Sequence, residues 1–109
     1  MSDMTKSQKK HLRELSNRCY EIEMSESLDK LNENFKKWKN KDITVWDLNE
    51  KVHQHHDGTA RNLYKRYELL TDPRVAVAQA VSKGIINIED VQKNCRSLLK
   101  SLIEFYDNE

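Results

Sequence analysis

The chain has little that bends or staples it: 109 residues carry two glycines, one proline and two cysteines. That scarcity argues against turn-rich sheets, which need a glycine or proline at most reversals, and favours long helices. Two cysteines cannot make a disulfide framework. Cys19 and Cys95 both fall on apolar helical stripes, where reduced, buried thiols sit, and this points to a reducing compartment. No apolar run is long enough to span a bilayer, and the opening MSDMTKSQKK lacks the pattern of a signal peptide. A cytoplasmic protein is expected. Nineteen basic residues against eighteen acidic ones leave a net charge of +1, so no global field draws the chain to nucleic acid or membrane. Internal repeats and low-complexity tracts are also missing, which argues against a solenoid or a linker.

What is present is charge, 34% of the residues, interleaved with 37% apolar residues at helical spacing. The expected fold is all-α: a single domain over residues 1–109, built as a compact bundle of about five helices. Its centre is the stretch 72–86, DPRVAVAQAVSKGII, which has no charge between Arg74 and Lys83. Asp72 reads as an N-cap and Pro73 as the first helical residue, where a missing N–H costs nothing. Gly84 supplies the left-handed stop. A helix over 73–83 that is apolar nearly all round must be enclosed by protein.

The first helix is expected to start at Thr5, paired with Gln8 in a capping box, and meets no glycine or proline before Lys41. Its apolar stripe changes sides. Leu12, Leu15, Cys19 and Ile22 share one face, while Tyr20, Met24, Leu28, Leu31, Phe35 and Trp38 share another, rotated by roughly 160°. Either the helix breaks near Ser25 to Ser27, or it runs on for about 50 Å and overhangs a domain of about 34 Å. In the second case Leu12, Leu15, Cys19 and Ile22 are expected at a homodimer interface. Charge supports an antiparallel pairing there: five basic residues against one acidic from Thr5 to Arg18, then five acidic against one basic from Tyr20 to Glu33.

A second helix is expected after the Thr44 and Asp47 capping box, with Val45, Leu48, Val52 and His55 inward and Trp46 at the edge. Asp57-Gly58 should close it, and Thr59 should cap a third helix carrying Ala60, Leu63, Tyr64, Tyr67 and Leu70 inward. Asn87 should cap the last helix, with Ile88, Val91, Cys95, Leu98, Leu102 and Phe105 recurring at spacings of three and four.

Candidate chemistry concentrates in EKVHQHHDGTAR, residues 50–61, which holds three of the four histidines. Glu50, His53 and Asp57 share a helical face and are the candidate metal ligands, although no second Glu-x-x-His completes a di-iron pattern. His53, His56, Asp57 and Arg61 are the candidate acid/base set of a metal-independent ribonuclease, with Arg61 holding a phosphate. Both sets have a plain structural alternative, since histidines near a helix C-terminus suit the macrodipole. His55 continues the inner stripe and is expected as a core histidine bonded to a backbone carbonyl. No phosphate loop or nucleophile motif accompanies them.

Lys9, Lys10 and Arg13, together with Lys6, form a basic helical face that offers nucleic-acid binding as an alternative. The helix, Gly84 turn and helix over 75–98 fails as a DNA reader. Lys83 and Asp90 stand where apolar residues should pack, and Glu89 and Asp90 oppose phosphate. The expectation is a non-enzymatic interaction or regulatory module without a cofactor, self-associating through its first helix. It presents to a protein partner the exposed side of that helix and the rim of His53, His56, Asp57 and Arg61.

Overall fold

The computed structural model describes residues 4–69 and 72–109. Its described residues are helical with no strand, so the fold class is all-α. Four helices account for it. Helix α1 is Lys6–Lys39; α2 runs unbroken over 45–69; α3 is Pro73–Ser82; α4 is Lys93–Asp107, preceded by a single 3₁₀ turn at Ile88–Asp90.

Helix α1 does not break at Ser25 to Ser27. Thr5 caps it as the sequence suggests: the Gln8 amide donates to the Thr5 hydroxyl at 3.1 Å and the Thr5 amide to the Gln8 side chain at 2.9 Å. Thirty-four residues at 1.5 Å each give about 51 Å. That nearly matches the long dimension of the molecule, 55 × 25 × 23 Å. The bundle is therefore elongated where a compact one was expected. Its radius of gyration is 17.2 Å, against about 13 Å for a globular chain of this length.

The core occupies the N-terminal end of α1. Leu12, Leu15 and Cys19 are buried against Ala76, Val77 and Ala80 of α3 and Val91, Cys95 and Leu99 of the C-terminal segment, and Ile22 packs at the edge. This corrects the expectation for three of the four residues: Leu12, Leu15 and Cys19 are covered by the chain's own helices, whereas Ile22 keeps part of its surface in solvent.

Helix α3 is the enclosed centre. Asp72 accepts from the Arg74 amide at 3.0 Å. At the other end Gly84 adopts φ +75°. The Ile85 amide reaches the Ala80 carbonyl at 2.9 Å and the Gly84 amide the Val81 carbonyl at 3.0 Å, the bond pair of a Schellman stop. Ala76, Ala78 and Ala80 let neighbouring backbones close in. The neighbours are α4, α1 and the last turns of α2; the first half of α2 lies along α1 instead.

Two expected helices prove to be one. Gly58 is not left-handed, and the chain continues through Asp57-Gly58 as a π-helical stretch, His55–Ala60, with another at Lys65–Leu69. The side chains facing α1 explain why. Leu48, Val52, Thr59, Leu63 and Tyr67 span five turns in 19 residues, roughly 3.8 per turn, which a regular helix of 3.6 cannot hold in line. Wider π turns take up the excess and keep Leu63 and Tyr67 on α1. Tyr64, expected inward, is exposed, and Leu70 lies outside the described residues.

The last helix also starts later than its periodicity suggests. Asn87 opens only the 3₁₀ turn, its amide donating to the Asp90 carboxylate at 2.9 Å. Val91 then turns to extended backbone (φ −89°, ψ 130°), which sends its side chain into the core. Helix α4 follows with Cys95 and Leu99 fully buried, and Phe105 is exposed at its end.

Candidate functional site

Beyond the core, the second half of α1 and the first half of α2 project as a two-helix arm. The turn that joins them is a second Schellman stop: the Asp42 amide donates to the Lys37 carbonyl at 2.8 Å and the Lys41 amide to the Trp38 carbonyl at 3.0 Å. The left-handed position is taken by Lys41, φ 64°, where glycine would sit without strain. Thr44 and Asp47 then cap α2 reciprocally at 3.0 and 3.1 Å. Those bonds to Thr44 hold the Asp47 carboxyl below its ordinary range.

A half-buried polar brace fixes the base of the arm. Arg66 donates to both oxygens of Glu23 at 3.1 and 2.9 Å, and the Tyr67 hydroxyl donates to the same carboxylate. Tyr67 stacks on Tyr20 with ring centroids 5.2 Å apart. Burial, then the hydrogen bond to Glu23 and the charge of that carboxylate, raise the Tyr67 phenol above its usual range. Burial first and Glu23 second also push the Cys19 thiol up to about 11. The sequence reading passed over Glu23. Its signal was the four-residue row Cys19, Glu23, Ser27, Leu31, in which two polar residues sit between apolar ones and need polar partners.

Farther along, a groove of about 340 Å³ lies between the helices, with Ser27, Lys30, Lys51, Gln54 and His55 among its walls. Here the Ser27 hydroxyl lies 3.0 Å from His55 Nε2 and 2.8 Å from the Met24 carbonyl. Which of the two donates across the Ser27–His55 contact follows the tautomer of His55. His55 is a cross-brace to a serine hydroxyl, not the carbonyl-bonded core histidine expected.

The other sequence candidates are scattered over the surface. His53, His56, Asp57 and Arg61 are all exposed on α2, and no hydrogen bond links any two of them among the described residues. Glu50, His53 and Asp57 do not converge: no group of three or more His, Cys, Asp or Glu side chains suited to a metal ion occurs among the described residues. Lys9, Lys10 and Arg13 do come together, with Lys6, around a shallow depression on α1.

The largest unexplained feature is apolar. Among the described residues eight large hydrophobic side chains are exposed, and five of them lie on the arm: Leu28 (49%), Phe35 (36%), Trp38 (38%), Val45 (50%) and Trp46 (78%). Met24, Leu28, Leu31, Phe35 and Trp38 recur at 4, 3, 4 and 3, the spacing of a helix–helix seam, and α2 covers this stripe only along one side. Trp46, expected at the edge of the inner face, stands almost wholly in solvent, and Leu48 is the buried residue of that turn.

No helix among the described residues is long and apolar enough to cross a membrane. Compared with protein-family models, with curated proteins and with solved structures, the chain matches none.

Proposed function

We propose that this protein is a non-enzymatic interaction module that docks a protein helix along its α1–α2 arm. The observation that carries the reading is the exposed seam Leu28, Phe35 and Trp38, with Val45 and Trp46 beside it. A monomer gains nothing from holding two tryptophans and a phenylalanine in water, and such residues are the usual anchors of protein interfaces. The brace from Glu23 to Arg66 and Tyr67 supports the same reading, because a rigid seam loses less entropy on docking. A cytoplasmic setting accords with two free, buried cysteines.

The test is the size of the species in the protein's native setting. Native gel filtration of a fresh lysate should place the chain well above the elution of a lone 109-residue protein, and Phe35→Ser with Trp46→Ser should return it there. Elution as a monomer, unchanged by the substitutions, would overturn the reading.

One feature favours a second reading, attachment to a nucleic-acid backbone: the convergence of Lys6, Lys9, Lys10 and Arg13 around one depression. It requires a gel shift that weakens with salt and disappears with Lys9→Glu and Lys10→Glu.

A further inference from the structure

We infer that the helix docked on the arm is the same arm of a second copy, packed antiparallel about a two-fold axis near Leu31 and Asn32. The inference rests on the reading of the arm as a docking surface and adds the identity and register of what covers it.

Charge selects the occupant. The seam along α1 is flanked by acid at its start, with Glu21 and Asp29, and by base at its end, with Lys36 and Lys39, followed by Lys41 in the turn. A parallel copy would set acid on acid and base on base. An antiparallel copy in which Leu28 meets Phe35 of the second copy brings Glu21 beside Lys39 and Lys41 of that copy, and Asp29 beside its Lys36. The two-fold axis makes every such pairing twice. Glu21, Lys39 and Lys41 have no ion-pair partner among the described residues, and Lys36 leans only on Glu33, 3.2 Å away and equally exposed. The pairing therefore uses charges that the single chain leaves idle.

The turn provides an independent observation. Lys41 holds a left-handed backbone that glycine would adopt without strain, at the tip of the arm. A lysine there offsets the α1 dipole but at the cost of a left-handed backbone, and in the antiparallel pair its side chain also meets Glu21 of the second copy. Two hairpins joined in this way complete a four-helix arrangement and enclose Leu28, Phe35 and Trp38.

Sedimentation equilibrium of the purified full-length chain tests this. A dimer is expected, and Leu28→Glu with Phe35→Glu should yield monomer up to about 200 μM. Glu21→Lys should weaken the dimer about tenfold, through two symmetry-related like-charge contacts. Adding Lys39→Glu and Lys41→Glu to that chain should restore it, and Lys41→Gly should raise the melting temperature while weakening the dimer. Orientation is read by oxidation: Asn32→Cys, near the axis, should give a disulfide-linked dimer. Ser25→Cys should not, because the two sulfurs lie about 20 Å apart along the seam, beyond disulfide reach. A purified chain that stays monomeric at every concentration overturns the inference. If that chain still runs large in lysate and Phe35→Ser with Trp46→Ser abolishes it, the docking reading stands and only the second copy is excluded. A dimer in which Asn32→Cys and Ser25→Cys both cross-link is parallel and overturns the register.

Discussion

Replacing Gly58 by alanine separates the observed α2 from the two-helix arrangement that Asp57-Gly58 suggests. Were Gly58 a left-handed stop, an alanine there would lose about 1–2 kcal/mol. In the structure Gly58 lies inside a continuous helical run with ordinary backbone angles, and a Cβ built on it meets nothing within 4 Å. Alanine then only reduces the freedom of the unfolded chain, and Gly58→Ala stabilises by about 0.5–1 kcal/mol. For a chain of this length the unfolding entropy is on the order of 230 cal/mol/K, so the melting temperature should rise by about 2–4 °C. Thermal unfolding followed by circular dichroism at the helical band reads it directly. Gly84→Ala is the internal control, because φ +75° at that position makes the same substitution cost about 1–2 kcal/mol. A fall in melting temperature for Gly58→Ala would refute the continuous helix and the π-turn account of its register.

The core and the last turns of α4 should respond very differently to truncation: Leu99→Ala, at a fully buried position, should lose about 3 kcal/mol in urea unfolding, and Phe105→Ala, 60% exposed, less than about 0.5 kcal/mol. Glu23→Gln weakens the acceptor of Arg66 and Tyr67 and should cost about 2 kcal/mol; in a Tyr67→Phe background the loss should shrink by about 1 kcal/mol, and a purely additive cycle would remove Glu23 as the shared acceptor. The Cys19 thiol has a folded-state pKa of about 11 against 9.0 for a free thiol, so its contribution is fully present below pH 9 and is lost as pH rises through about 11. Stability measured by urea unfolding should therefore fall through that alkaline window, and Cys19→Ala should flatten the fall; an unchanged profile would contradict the assignment.

The parts of the fold that were legible in the sequence are those fixed by neighbours within about four residues. Thr5 with Gln8, Thr44 with Asp47, Asp72 before Pro73, and Gly84 each satisfy backbone groups locally, so their residue types carry the answer. The misread parts were decided by distant packing. Asp57-Gly58 has the composition of a stop, but Leu63 and Tyr67 gain more by remaining on α1 than the helix loses at a glycine. Val91 has the periodicity of a helical residue, yet it enters the core only from extended backbone. Periodicity revealed that α1 has two apolar faces. It could not reveal which one the chain covers for itself, because that depends on where α3 and α4 land. Reading Leu12 to Ile22 as the free face followed from that ambiguity. The arm's brace was invisible for a related reason: Glu23 meets Arg66 and Tyr67 across more than forty residues.

The contacts between the start of α1 and the start of α4 carry a consequence for the order in which the chain folds. Gln8 donates to the Asn94 carbonyl at 2.7 Å and the Gln92 amide donates to His11 at 3.0 Å, across 86 and 81 residues. Closing a loop of that length costs on the order of 4 kcal/mol of chain entropy, against about 1.4 for the five-residue turn of the arm. The arm and the α3–α4 pair are local hairpins and can form on the fast timescale of helical units, whereas the clasp of Leu12, Leu15 and Cys19 onto Val91, Cys95 and Leu99 must wait for the long closure. Loop closure therefore predicts the rate-limiting barrier at the hydrophobic end of the molecule, with the arm forming before the core that anchors it.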